Sequence, residues 1–242
     1  MEPMLPGLSP EDDHRRVRAR LETDGWKWLA RGDWSQVYAS PDGQQVARVV
    51  AFDPAYALHV RTCLANPGVA HFQRIDWHRD LAPAGQVVVM ERLQPAAEAP
   101  ASHLCCLLGA TKHLEREVEP REIEAWEAER RADPRLQQLF GLLHATLAEG
   151  ERTLGWFGGL DLRPGNLMQD ASGQLKLIDP YFVAGPKLIP AMLGDIDAVA
   201  RHYSPAQLRA FLEIAVFEDE QDAPGPVLAQ LRERVGSLGA HT

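Results

Sequence analysis

Three polar residues in the second half of the chain have a spacing that limits how the segment around them can fold. Asp161 and Asn166 lie five residues apart, and Asp179 follows thirteen residues after Asn166. Between Asn166 and Asp179, apolar stretches on both sides of a polar, glycine-containing turn predict two short strands joined as a hairpin. The predicted strands are 167–168 and 175–178, and the predicted turn is 170–173. The spacing therefore predicts two carboxylates and one amide at the mouth of a loop–strand–turn–strand unit.

This set of groups suits phosphoryl transfer, in which a protein contributes positioning and charge stabilisation rather than covalent chemistry. Mg²⁺ prefers hard oxygen ligands and takes only one or two of them from protein side chains. Asn166 and Asp179 are therefore the predicted Mg²⁺ ligands. Asp161 is predicted to orient or deprotonate an acceptor hydroxyl, and Arg163 to reach the γ-phosphate.

The stretch Asp161-Leu162-Arg163-Pro164-Gly165-Asn166 resembles the catalytic loop of the protein-kinase-like superfamily, and Asp179 matches the Asp of its metal-binding D-F-G motif. The resemblance is to a small, atypical kinase of bacterial or phage type. It implies one α+β domain with a two-lobed protein-kinase-like fold. The expected parts are an antiparallel β-rich N-lobe, about 1–92, and a mainly helical C-lobe, about 93–242.

A second match to this superfamily lies about 130 residues before the catalytic loop, around Gly32. A glycine-rich loop holds ATP phosphates because small residues let backbone N–H groups approach them. Of the three usual glycines only Gly32 is kept, while Ala30 and Ser35 hold the other positions. The resemblance implies that Gly32 and Ser35 contact ATP, that Val37 packs on its adenine, and that Trp34 lies at the loop tip.

Two further parts of a nucleotide site are implied by the resemblance. Met90 and Glu91 would begin the hinge, whose backbone would hold adenine. Arg48 stands at the strand position where the family has the phosphate-binding lysine, although arginine and lysine are not interchangeable at a tight site. The alternative is a solvent-facing arginine. The predicted helix 54–64 contains no glutamate to pair with this cation.

Three functions are compatible with these motifs. The first, which is the expected one, is an ATP- and Mg²⁺-dependent kinase that acts on protein Ser/Thr hydroxyls. The second is a small-molecule kinase of the aminoglycoside or choline kinase type, which the catalytic loop also resembles. The short stretch of fifteen residues between Asp179 and Asp195 favours this second function, whereas the lack of a large C-terminal substrate-binding subdomain disfavours it. The third is a pseudokinase that binds nucleotide without turnover, suggested by Arg48 and by the missing glutamate in the helix 54–64.

Composition restricts the possible partners. The chain has 242 residues, 45% of them hydrophobic and 24% charged, which is typical of a globular protein. A net charge of -9 argues against a nucleic-acid-binding surface, and no apolar run reaches membrane-spanning length. Three cysteines without a paired motif suit a reducing compartment. We therefore expect a cytoplasmic protein whose partners are ATP and a protein or small-molecule phosphate acceptor.

Apolar and charge patterns predict helices over most of the second half of the chain. The expected helical segments are 101–114, 115–135, 136–147, 204–217 and 226–238. Near the N-terminus, Ser9 is the predicted N-cap of a helix with Pro10 in its first position. Asp195 is predicted to brace the catalytic loop from below.

Overall fold

A computed structural model describes residues 8–9, 11–220 and 225–238. The N-terminal part is a five-stranded antiparallel sheet packed with two helices, and the C-terminal part is mainly helical. The expected α+β class, with a β-rich lobe followed by a helical lobe, is thereby confirmed.

The N-terminal sheet is packed between its two helices. Its elements are α1 (His14–Thr23), β1 (Lys27–Arg31), β2 (Ser35–Ala39), β3 (Gln45–Val50), α2 (Pro54–Ala65), β4 (Ile75–Leu81) and β5 (Gly85–Glu91). The strand order is β1-β2-β3-β5-β4. Successive side chains of a strand point to opposite faces. In β5, Val87 and Val89 accordingly pack with the core of α1, whereas Val88 packs with Tyr56 and Val60 of α2. Burial on both faces explains the continuous valine run.

The start of α1 differs from the prediction. Asp13 is the N-cap, because its side chain accepts a hydrogen bond from the backbone N–H of Arg16 at 2.8 Å. Ser9 lies in a preceding turn, where its carbonyl oxygen accepts from the N–H of Asp12. Pro10 lies outside the described residues. The helix therefore begins one turn later than the Ser-Pro signal indicates.

The C-terminal part contains the remaining helices and two small sheets. In chain order they are β6 (Gln94–Pro95), α3 (Glu98–Leu107), α4 (Pro120–Ala132), α5 (Pro134–Thr153), β7 (Phe157–Leu160), β8 (Leu167–Gln169), β9 (Leu175–Leu177), β10 (Tyr181–Val183), α6 (Gly185–Gly194), α7 (Ile196–Ala200), α8 (Pro205–Phe211) and α9 (Pro226–Ser237). The strands β6, β8 and β9 form one sheet, and β10 pairs with β7 in the other. The predicted hairpin between Asn166 and Asp179, the two predicted metal ligands, is thus β8 and β9.

Three predicted helices have different ends, each for a local reason. Within the segment 101–114 the α-helix ends at Leu107, because Gly109 adopts a φ of +84° that turns the chain, and a 3-10 turn follows at Lys112–Leu114. The charged helix begins only at Pro120, after the reciprocal capping hydrogen bonds of Glu119 and Glu122. The segment 204–217 is interrupted after Phe211 and continues as a 3-10 turn.

Helix α5 supports the segment that carries the catalytic-loop motif. Leu139 and Leu143 on this helix are almost completely buried in the main core. The hydroxyl of Tyr181, two residues after Asp179, donates a 3.0 Å hydrogen bond to the carbonyl oxygen of Leu143. The predicted central helix thus lies against the strand pair β7–β10. Within the described residues, no helix has both the length and the apolar character needed to cross a bilayer.

Candidate functional site

A cavity of about 290 Å³ lies between the N-terminal sheet and the β8–β9 hairpin. It brings together all six predicted nucleotide-binding residues and both predicted metal ligands. These are Gly32, Ser35, Val37, Arg48, Met90, Glu91, Asn166 and Asp179. They come from separate stretches of the sequence, and the first and last of them, Gly32 and Asp179, are 147 residues apart.

The walls of the cavity are largely apolar. Val37 and Val46 contribute from the sheet, and Met168 and Ile178 from the hairpin on the opposite side. An apolar slot with a few polar groups at one end suits a planar heterocycle that carries phosphates. Sequence reasoning missed Met168 and Ile178. Their positions, two residues after Asn166 and directly before Asp179, would have been a usable signal.

The end of β5 supplies the rim of this slot. The backbone N–H of Glu91 donates to the carbonyl oxygen of Arg74 at 3.2 Å, and that of Arg92 to Gln44 at 3.0 Å. These two amides are therefore already used by the N-terminal lobe. Leu93, which the sequence did not single out, is the next residue and also lines the cavity.

Arg48 points into the site rather than to solvent. Its side chain is 12% exposed, and its Nη2 lies 2.8 Å from Oδ2 of Asp179. Its Nε donates to the hydroxyl oxygen of Ser35 at 3.0 Å. Burial has the largest single effect and opposes the charge, but the neighbouring acidic groups, led by Asp179, together outweigh burial, and the pKa of Arg48 is raised. Arg48 therefore remains a cation held between the two lobes.

Tyr56 lies on α2, next to the Arg48 side chain of β3. This is the helix whose sequence contains no glutamate to pair with Arg48. The Arg48 guanidinium lies 3.7 Å above the Tyr56 ring, a cation–π contact. The Tyr56 hydroxyl accepts a long hydrogen bond, 3.5 Å, from Nε2 of Gln73. Burial, partly offset by the positive charge of Arg48, raises the pKa of Tyr56, so the hydroxyl stays neutral. No sequence signal identified Tyr56 or Gln73.

Asp53 is a buried acid at the start of α2 that the sequence also did not single out. Its Oδ1 accepts from the backbone N–H of Tyr56 at 2.9 Å and so caps the helix. Burial and the nearby negative charge of Asp179 raise the pKa of Asp53 to about 7, against the opposing effect of Arg48. The region between the lobes therefore contains the carboxyl groups of Asp53 and Asp179 and the guanidinium of Arg48.

Asp179 has one carboxylate oxygen available to a further ligand. Oδ2 pairs with Arg48, whereas Oδ1 is buried without a hydrogen-bond partner among the described residues. A buried acceptor without a partner is costly, and a cation would satisfy it. Asn166 lines the same cavity, and its amide oxygen together with the carboxylate of Asp179 is a donor set whose chemistry fits Mg²⁺.

Asp161 and Arg163 lie beside the cavity and do not line it. The Asn166 side-chain amide donates to the Asp161 carbonyl oxygen at 2.8 Å and to its Oδ2 at 2.9 Å. The Arg163 Nε lies 3.2 Å from the same Oδ2, and its side chain is 63% exposed. The backbone N–H of Asp161 donates to the carbonyl oxygen of Pro180 at 2.8 Å. The catalytic-loop motif is thus linked through Asn166 and Pro180 to the segment carrying Asp179.

Two other predictions concern Asp195, expected to brace the catalytic loop, and Trp34, expected at the tip of the loop between β1 and β2. Asp195 caps α7, because its side chain accepts from the backbone N–H of Ala198 at 2.9 Å, and no hydrogen bond joins it to the catalytic loop among the described residues, so the predicted brace is not found. Trp34 does lie between β1 and β2, but its ring packs against Phe52 and Phe211. Across 11–220 and 225–238 there is no group of three or more His, Cys, Asp or Glu side chains arranged to hold a metal.

Comparisons with known proteins give no sequence relative. Neither the protein-family models nor the curated proteins contain a match to this chain. Among solved structures, two of the aminoglycoside phosphotransferase APH(3'')-Id from Streptomyces rimosus are similar, one of them in complex with ADP and streptomycin. They are 16% and 17% identical, with a TM-score of 0.33, and the match covers 91% of this chain and 89% of theirs.

A third similar structure is the GDP and kanamycin complex of APH(2")-IIia. It is 10% identical, has a TM-score of 0.34, and the match covers 91% of this chain and 82% of that one. At TM-scores of this size the likeness does not decide function, which depends on the residues of the site.

Proposed function

We propose that the protein is an ATP-dependent phosphotransferase whose acceptor is the hydroxyl group of a small molecule. The observation that carries this proposal concerns Oδ1 of Asp179, which has no hydrogen-bond partner among the described residues and is buried at a cavity that Arg48 and Asn166 also line. A phosphoryl-transfer site needs a cation for the phosphates, and amide and carboxylate oxygens for the Mg²⁺ that accompanies them.

Each residue has a chemical role in this proposal. The apolar slot holds the adenine, while Arg48 and the backbone around Gly32 hold the phosphates. Asn166 and Asp179 would hold Mg²⁺, which when bound neutralises charge on the phosphate oxygens. The Asp161 carboxylate accepts the proton of the acceptor hydroxyl, and the Asn166 amide keeps that carboxylate in place.

The segment after Asp179 favours a small acceptor over a protein. β10 pairs with β7, and α6 buries Leu188 and Met192 in the main core. The fifteen residues 180–194 are therefore largely built into the C-terminal lobe. A polypeptide acceptor would need an extended surface beside Asp161, and this segment supplies little of one. We therefore place the small-molecule acceptor ahead of the protein Ser/Thr acceptor expected from the sequence.

A nucleotide-binding protein without turnover is the second candidate. It is favoured by the ion pair between Arg48 and Asp179, because the arginine occupies one of the two oxygens on the proposed metal ligand. The two candidates share the nucleotide site and differ only in phosphate transfer.

The nucleotide site is tested by Asp179→Ala. In a thermal shift assay, ATP with Mg²⁺ is expected to stabilise the parent, since a ligand that binds only the folded state raises its stability. Asp179→Ala should lose the Mg²⁺-dependent part of the shift. Asp197→Asn, which removes one exposed acid on α7, is the matched control and should keep it. An unchanged shift in Asp179→Ala would rule out the proposed metal ligand.

The acceptor is tested with labelled ATP and a cell lysate divided into small-molecule and macromolecular fractions. Label transferred to the small-molecule fraction supports the proposal, and label on proteins restores the protein acceptor. ATP binding without transfer to either fraction supports the second candidate.

A further inference from the structure

The loop between β1 and β2 is tied to a segment near the other end of the chain. We call residues 211–220 the C-terminal clasp. The backbone N–H of Val216 in the clasp donates to the carbonyl oxygen of Asp33 at 2.8 Å. The guanidinium of Arg31 contacts both carboxylate oxygens of Asp219, at 3.2 and 3.0 Å. The loop that would cover the phosphates is therefore held from the C-terminal lobe.

An aromatic contact reinforces this connection at the tip of the loop. The Trp34 ring lies 5.6 Å from the ring of Phe211 in the clasp and 6.3 Å from that of Phe52, centroid to centroid. Phe211 in turn packs edge-on against Phe217 at 5.8 Å. The loop tip thus packs into a cluster formed by both lobes.

A closed circuit of hydrogen bonds joins the clasp to α1 and β2. Arg18 donates to the Tyr38 hydroxyl at 3.1 Å, and that hydroxyl donates to Oε1 of Gln36 at 2.9 Å. The Gln36 side-chain amide and the Arg18 guanidinium both donate to the Glu218 carboxylate. Glu218 is the member of the circuit that belongs to the clasp.

Burial identifies Glu218 as the important acid of the clasp. Asp219 is 77% exposed, and an ion pair in water contributes little. The Glu218 side chain is 24% exposed and one of its partners, Gln36, is 5% exposed. Removing Glu218 would leave the Gln36 amide buried without its acceptor, which is costly.

The circuit acts on the side chains that line the nucleotide cavity. Gln36 lies between Ser35 and Val37 on β2, and both neighbours line the cavity. The Ser35 hydroxyl also accepts a hydrogen bond from Arg48. Fixing Gln36 therefore fixes Ser35 and the loop amides relative to Asn166 and Asp179. The phosphate-binding loop keeps only Gly32 of the three usual glycines. Its backbone N–H groups can stabilise charge on the phosphates only if they are already held in place, which is what the circuit provides.

We propose that Glu218 is a positioning residue for the phosphate-binding loop. It holds β2 and the loop in the geometry that binds nucleotide phosphates. The inference rests on the nucleotide site proposed above, and it adds a residue from the C-terminal lobe that does not line that site.

The test compares Glu218→Ala and Glu218→Gln with Glu213→Ala in the full chain. Glu213 is the matched control, because it is another acid of the clasp and pairs with His14 and Arg15 of α1 rather than with Gln36. Amide hydrogen exchange without ligand is measured over residues 31–38, with α5 as the internal reference for intact folding. Affinities are measured for ADP and for adenosine, which lacks the phosphates.

Glu218→Ala is expected to speed exchange in 31–38, to weaken ADP binding by about three- to tenfold, and to leave adenosine binding unchanged. Glu218→Gln keeps an acceptor oxygen and should recover part of the ADP affinity. Glu213→Ala should match the parent in both measurements.

Three results would overturn the inference. Unchanged exchange in 31–38 means that Glu218 does not hold the loop. Equal losses of ADP and adenosine affinity, or no loss of either, mean that its role is structural only. A parent protein that binds neither ligand removes the proposed nucleotide function and this inference with it, whereas a binding parent with unaffected variants removes the inference alone.

Discussion

Replacing Arg48 with alanine is expected to destabilise the protein by breaking the link between the lobes. The Arg48 side chain pairs with Asp179 at 2.8 Å, donates to Ser35 at 3.0 Å and stacks 3.7 Å above the Tyr56 ring. Truncation removes all three contacts at once. It also leaves the Asp179 carboxylate without its ion-pair partner, which is the larger effect because Oδ1 of that carboxylate is already buried without a partner among the described residues.

The expected magnitude follows from the burial of the pair. Removing one partner of a fully buried pair costs about 3–5 kcal/mol, whereas an exposed pair contributes about 0–1 kcal/mol. Arg48 is 12% exposed and Asp179 is 29% exposed, so the pair lies nearer the buried limit. We expect Arg48→Ala to lower the free energy of unfolding by about 2–4 kcal/mol. Arg48→Lys keeps the positive charge but loses the stacking on Tyr56 and the several N–H donors of the guanidinium. It is therefore expected to lower the free energy of unfolding by about half as much as Arg48→Ala.

Urea denaturation of Arg48→Ala, Asp179→Ala and the double variant measures the coupling directly. Two residues in contact should give a coupling free energy of about 1–2 kcal/mol, and an unchanged m-value would exclude a change in compactness. Additive losses, or an Arg48→Ala loss below about 0.5 kcal/mol, would refute the reasoning, since that is the range of an ordinary surface substitution.

Three further outcomes are expected. Asp161→Asn should keep ADP affinity and fold stability while lowering phosphate transfer, because it removes a group that acts mainly in the transition state; equal transfer would exclude it from the chemistry. Gly85→Ala should cost about 1–3 kcal/mol, because its Cβ would meet the Val50 carbonyl oxygen at 2.5 Å, whereas Gly141→Ala on α5 meets nothing within 4 Å and should stabilise the helix by about 0.5–1 kcal/mol. Burial lowers the pKa of His59 from 6.5 to about 3, so the unfolded chain takes up the proton first and stability should fall as pH falls from 6.5 towards 3. In urea denaturation at several pH values, His59→Phe should reduce this slope, and an unchanged slope would contradict the assignment.

The sequence determined the parts of the site that depend on local chain geometry. Asp161, Asn166 and Asp179 are separated by a short loop and one hairpin, and such a unit leaves few relative placements for its ends. The helix after β3 was also predicted, over 54–64, and the structure has it at Pro54–Ala65. Predictions that relied on one helix-end signal were less successful, as at Ser9, because a turn can satisfy the same residues.

Only the tertiary structure decided what the predicted residues contact. Arg48 was expected as a phosphate cation, but its pairing with Asp179, 131 residues away, and its stacking on Tyr56 had no sequence signal. The same holds for Gln36 and Glu218, which are 182 residues apart. A local sequence pattern indicates whether a residue suits a helix, a strand or a turn. It does not indicate which residue from a distant part of the sequence will contact that side chain, because this contact depends on how the two lobes pack together.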